Sequence, residues 1–189
     1  MSLKTYLFEL KTLDGLLVVR KVAKKYREEV WDRIEQMGPN RVLRLDFHNV
    51  QFIDVSCADE VVVRILARLK AGELRDRYMI LSGVKNQHKE NIDTALRVSK
   101  KAIIVVNDGK WGFLGELVKS HQEVLAHVVQ KNGITASELK EKMAYWSVNQ
   151  ASASLGALYK KRLIARELYR RPVPGGGRRF RYLSLLLDR

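Results

Sequence analysis

The sequence predicts a two-domain chain: an N-terminal α/β domain over residues 1–115, with a mixed sheet and helices, and a smaller C-terminal α+β domain over 116–189. Three observations predict it. Strand-like and helix-like segments alternate as far as Gly115, which is the grammar of an α/β layer fold. Beyond that point two short helices, each opened by a capping pattern, precede two strand-like runs around a glycine-rich turn. The basic charge is also uneven: within a formal net charge of +14, Leu117 to Arg189 carries 14 Lys or Arg against 5 Asp or Glu, a balance of +9.

Length and composition agree with two folded cores. A chain of 189 residues can bury two small cores, and an apolar fraction of 46% with only three Pro suits a globular protein. The longest apolar runs, such as Ala102 to Val106, fall far short of the roughly 18 residues needed to cross a bilayer, and no hydrophobic leader follows Met1. The expectation is a cytoplasmic protein with no membrane association. A single cysteine, Cys57, excludes an internal disulfide framework, and His48, His88, His121 and His127 have no metal-ligand spacing, so no metal and no cofactor is expected. A strongly basic chain favours polyanionic partners.

In the first domain, Leu3 to Leu10 and Leu16 to Val19 read as two strands of a hairpin turning at Asp14-Gly15, a dipeptide suited to positive backbone angles. Lys21 to Met37 places Ala23, Tyr26, Val30, Ile34 and Met37 on one helical face, and Gly38-Pro39 stops it. Arg41 to Phe47 alternates as a strand. Ser56 to Leu69 sets Ala58, Val61, Val62, Ile65 and Leu69 in one stripe, a second amphipathic helix. Tyr78 to Leu81 reads as a strand, Asn86 to Val98 as a helix, and Ala102 to Val106 as a strand buried on both faces.

The remainder begins with a helix over Leu117 to Gln130, its inward face formed by Leu117, His121, Val124, Leu125, Val128 and Val129, and Asn132-Gly133 ends it. Thr135 to Ala144 is a short helix whose Thr135 and Glu138 form a capping box, and Ser147 with Gln150 repeats the device after Tyr145-Trp146. Leu163 to Arg170 and Arg178 to Leu186 are strands flanking Gly175-Gly176-Gly177. In the second capped helix Val148, Ala151, Leu155 and Leu158 face the core, which leaves Asn149, Gln150, Ala153, Gly156, Ala157 and Lys160 outside.

That outer face has a mechanical logic for a DNA major groove. Asn149 and Gln150 can pair bidentately with adenine edges, Ala153 permits close approach, and Lys160 can reach phosphate or guanine. Ser147, at the positive helix end, adds a phosphate contact. Arg170, Arg171, Arg178, Arg179 and Arg181 sit on both sides of the glycine turn and suit the phosphate backbone or a narrow minor groove. No Gly-Lys-Ser or Gly-Lys-Thr follows the glycines, which excludes a nucleotide-cradling loop. Phe180 and Tyr182 can stack on bases, but aromatic residues at alternate strand positions more often belong to the core.

From Leu117 onward, the order of capped helix, tight turn, capped helix and basic hairpin resembles the winged helix-turn-helix superfamily. The resemblance implies binding of double-stranded DNA, and a homodimer would place two such helices on half-sites one helical turn apart.

Leu45-Asp-Phe-His-Asn-Val-Gln-Phe-Ile-Asp54-Val-Ser56-Cys-Ala-Asp59-Glu60 resembles the STAS-like domains, relatives of the anti-sigma-factor antagonists, with matching element order over most of residues 3 to 113. The resemblance implies a domain that senses a signal or binds a protein partner, and a regulatory phosphosite at Ser56. Cys57 stands where those antagonists usually have glycine. Read from the residues alone, Ser56 is a helix N-cap with Asp59 at the third helical position, and a phosphate there would be repelled by Asp54, Asp59 and Glu60. Cys57 at a helix start fits either a redox sensor or, more commonly, a buried small apolar residue. His48 is the only histidine near Ser56 in sequence, and no carboxylate pair or nucleotide fingerprint accompanies it, so a non-enzyme is expected. The expected function is a DNA-binding transcriptional regulator. The alternative is a protein-interaction module of a kinase or sigma-factor pathway without specific DNA binding, and an RNA-binding role would draw on Tyr169 or Tyr182.

Overall fold

The computed structural model describes residues 3–12, 14–169 and 179–186. These form a mixed α/β chain in two compact units, one ending at Leu117 and one beginning at Val118. Arg170, Arg171, Arg178 and the glycine-rich turn lie outside the described residues.

The first unit runs β1 (Lys4–Glu9), β2 (Leu16–Leu17), α1 (Arg20–Gln36), β3 (Arg41–Asp46), β4 (Phe52–Ile53), α2 (Val55–Ala58), a π-helical turn (Asp59–Val63), α3 (Arg64–Ala71), β5 (Arg77–Ser82), α4 (Asn86–Val98), β6 (Ala102–Asn107) and β7 (Lys110–Gly115). Its five-stranded sheet has the order β1-β3-β5-β6-β7, parallel throughout except for the β6–β7 pair. Alternate strand residues Leu43, Leu45, Met79, Leu81, Ile103 and Val105 join one apolar cluster with Ala23, Val30 and Ile34 of α1, Ile65 and Leu69 of α3, and Ile92 and Leu96 of α4. The period-two faces of the strands and the 3.6-residue stripes of the helices therefore meet in a single core.

Three local expectations are corrected. Leu3–Leu10 and Leu16–Val19 are not a hairpin: β1 pairs in parallel with β3, from Lys4 opposite Arg41 to Glu9 opposite Asp46, and β2 pairs in parallel with β4. The hairpin turn with positive angles is at the second Asp-Gly, where Asp108 (φ 49°) and Gly109 (φ 73°) join β6 to β7. Two consecutive positive angles match the twist of the flanking strands. The helix expected from Ser56 to Leu69 runs instead from Val55 to Ala71, continuous but with a π turn inside it, and its N-cap is Asp54, not Ser56. Asp54 Oδ1 accepts the Cys57 backbone N–H at 2.7 Å and the Ser56 hydroxyl at 3.0 Å, so Ser56 becomes a helical residue held by the cap.

The second unit contains α5 (Lys119–Lys131), β8 (Ile134–Thr135), α6 (Ala136–Lys142), α7 (Val148–Lys160), β9 (Ala165–Leu168) and β10 (Phe180–Leu183). Asn132 adopts a left-handed conformation (φ 56°) and ends α5. The three strands form an antiparallel sheet in the order β8-β10-β9. Val124, Leu125, Val128, Leu139, Ala151, Leu155, Leu158 and Tyr182 are buried. Val148, expected in the core, is 45% exposed: as the first helical residue it precedes the packed part of the stripe. Among the described residues no helix is long and apolar enough to cross a membrane.

Candidate nucleic-acid interface

Both capping boxes form. Glu138 N–H donates to Thr135 Oγ1 at 3.3 Å while Glu138 Oε2 accepts from the Thr135 backbone at 2.7 Å and its hydroxyl at 2.8 Å. These bonds, chiefly the backbone one, together with the charges of Arg181 and Lys131, hold the Glu138 carboxyl below its ordinary range despite its desolvation. At α7, Gln150 N–H donates to Ser147 Oγ at 3.2 Å, and Gln150 Oε1 accepts the Ser147 N–H at 2.8 Å. Gln150 therefore serves the cap with its carbonyl oxygen and has its amide nitrogen left for a ligand, short of the bidentate adenine contact its side chain offers in isolation.

Ser147, Asn149, Gln150, Ala153 and Lys160 are all exposed, as the helical wheel requires. They do not form one cluster. Asn149 shares a cavity of about 190 Å³ with Thr135, Ser152 and Arg179, so the start of α6, the start of α7 and the edge of β10 converge there. Gln150 and Ser147 line the other flank, a groove of about 550 Å³ with Lys140 and Tyr145. Lys160 lies at the far end of α7, about 16 Å along the axis from Asn149 at the usual helical rise. Arg181 is exposed on β10 opposite Thr135 and lies over Gly133, where a Cβ would come within 2.9 Å of its Nε.

The strand pair is fixed to α7 by a contact that sequence pattern does not announce. The Arg166 guanidinium lies 4.1 Å from the Tyr159 ring centroid and 4.4 Å from that of Phe180, joining β9, α7 and β10 in one cation–π sandwich. Phe180 is thereby engaged within the unit, and Tyr182 is buried. Ser152 was not singled out by sequence, and its signal is its place three residues after Asn149 on α7; Thr135 is legible only as a cap, not as a neighbour of Asn149.

In the first unit, the surroundings of Ser56 differ from those expected. Asp59 and Glu60 are not free repulsive charges: Arg20 Nε reaches Glu60 Oε1 at 2.8 Å, Arg64 Nε reaches Asp59 Oδ2 at 3.0 Å, and Arg27 also bonds Glu60. Cys57 is fully buried, and desolvation, reinforced by Asp54, pushes its thiol up to about 12, the opposite of a redox-sensing thiolate. Around this junction Leu16, Val18, Val19, Val22, Phe52 and Val55 are exposed. They come from β2, the entry and first turn of α1, β4 and the start of α2, elements that pack on one another. Exposed apolar side chains gathered in this way occur at protein, membrane and ligand contacts alike. Lys21, Lys24 and Lys25 are exposed beside them.

No known protein family, no curated protein and no solved structure matches this chain.

Proposed function

We propose that the chain is a non-enzymatic, DNA-binding transcriptional regulator in which the second unit is a winged helix-turn-helix and the first a STAS-like, partner-binding domain. The observation that carries the DNA reading is the exposed Asn149, Gln150 and Ala153 face at the anchored N-terminal end of α7, with Arg179 sharing the Asn149 cavity. Amide side chains with a small residue between them suit base edges, and a flanking arginine suits phosphate. The basic excess of residues 117–189 supports it. The alternative, a module that only binds proteins, is favoured by the apolar strip of Leu16, Val19, Phe52 and Val55, which we assign to the partner of the first unit. The nucleophiles near it are committed: the Ser56 hydroxyl donates to Asp54, and Cys57 is buried with a raised pKa.

Titration of a fluorescein-labelled duplex between about 50 mM and 200 mM salt tests the assignment, because neutralised phosphates release counterions. A steep loss of affinity with rising salt, and weaker binding of single-stranded RNA, is expected. Salt-independent or absent binding would shift the assignment to the protein-interaction module.

A further inference from the structure

The turn between α6 and α7 carries a residue that neither the turn nor the core requires. Trp146 N–H donates to the Met143 carbonyl at 3.2 Å, closing a four-residue turn whose third residue is Tyr145. Tyr145 has φ 68°. That position ordinarily takes Gly or Asn, because a bulky side chain there crowds its own backbone. The remaining non-glycine residues with positive φ among those described are Asn, Asp, Lys or Arg, so Tyr145 is the only aromatic one. Its ring buries nothing: Tyr145 is 103% exposed, more than any other large apolar side chain described. A tyrosine kept in a disfavoured conformation and in water is better explained by a contact made outside the chain.

Its position says which contact. The first turn of α7 is a ridge between two grooves. One groove holds Asn149 and Ser152 and is edged by Arg179; the other holds Ser147 and Gln150 and is edged by Lys140 and Tyr145. A helix seated in a major groove, about 12 Å wide, has a phosphodiester strand on each side. Arg179 accounts for one strand. We propose that Tyr145 and Lys140 form the contact to the other strand, the Tyr145 hydroxyl donating to a phosphate oxygen and the Lys140 ammonium neutralising it. A contact to phosphate sets the orientation of α7 and is blind to sequence. The inference rests on the reading of α7 as the major-groove helix.

The test is anisotropy titration of a labelled mixed-sequence 30-bp duplex, about three helical turns, with the full chain and its Tyr145→Gly, Tyr145→Phe and Lys140→Gln variants. Glycine removes the ring and relieves the backbone, so Tyr145→Gly is expected to melt at or above the wild-type temperature while binding about fivefold more weakly, the range for one lost hydrogen bond. Tyr145→Phe shares the loss but not the stabilisation. Lys140→Gln lowers the salt slope by about one, whereas the tyrosine variants leave it unchanged. Tyr145→Gly binding within about twofold of wild type would overturn the proposal while the DNA reading stands. Wild-type protein failing to bind the duplex at low salt would overturn both.

Discussion

Replacing Glu60 by Gln tests how the first unit is held together. The Glu60 side chain is 0% exposed and is bonded by Arg20, Arg27 and Arg64. Burial on its own pushes the carboxyl up, but the Arg20 hydrogen bond and the charges of Arg64, Arg27 and Arg20 outweigh it and hold the group below its ordinary range. Glutamine keeps the shape and removes the charge. Arg20 and Arg64 are about half exposed and each also lies near Asp59, so they lose little. Arg27, 20% exposed, is the cation left short of a partner, although Glu28 remains 2.5 Å away. Breaking a fully buried pair costs about 3–5 kcal/mol, and with two of three cations in water and the third retaining Glu28 the expected loss is about 2 kcal/mol. For a unit of this size that is a fall of roughly 8 °C in Tm. The sign with pH is fixed: a carboxyl lowered on folding contributes stability above its unfolded pKa, about 4.3, and that contribution is lost as pH falls through the folded value. Calorimetry or circular dichroism melts at pH 7 and near pH 3 measure it. A Glu60→Gln variant melting within about 2 °C of wild type at pH 7, or a gap that persists undiminished at pH 3, would refute the reasoning.

Three further outcomes follow from named contacts. Cys57, buried with its thiol pushed up to about 12, should resist a chromogenic disulfide reagent at pH 8 in the native protein and react fully in denaturant; fast native labelling would contradict the burial. Gly115→Ala, at φ 94° and with the Lys101 carbonyl where the new Cβ would go, should cost about 3 kcal/mol or more in urea unfolding. Gly109→Ala, at φ 73° in open space, should cost only about 1 kcal/mol, and equal losses would count against the contact. Asn149→Ala should lose about 1–3 kcal/mol of base discrimination, Gln150→Ala a smaller share, since its carbonyl serves the cap, plus about 1 kcal/mol of helix stability, and Arg179→Ala should weaken all sequences alike. Indistinguishable binding losses across the three would contradict that division.

Much of this was legible in the chain because it is written in local chemistry. Asn86–Val98 is a helix from its periodicity, and the boxes at Thr135 and Ser147 declare their helix starts because a hydroxyl and a carboxylate or amide three residues apart satisfy each other's orphan backbone groups. What misled was ambiguity that only tertiary context resolves. Two Asp-Gly pairs offer the same turn; β1 finds its partner in β3, leaving the hairpin to Asp108-Gly109. Asp54 and Ser56 are both good N-caps two residues apart, and periodicity cannot choose between them. The Arg166 sandwich and the cavity beside Asn149 depend on where the chain returns through β9 and β10, a long-range matter that no window of sequence contains.

The most direct test of the central claim is to expose the purified protein to a random pool of duplex DNA at low and at physiological salt and to sequence what it retains. The account predicts salt-sensitive retention and enrichment of a motif, palindromic or repeated if two copies bind together. No retention even at low salt would contradict it and leave the apolar surface of the first unit as the protein's working face.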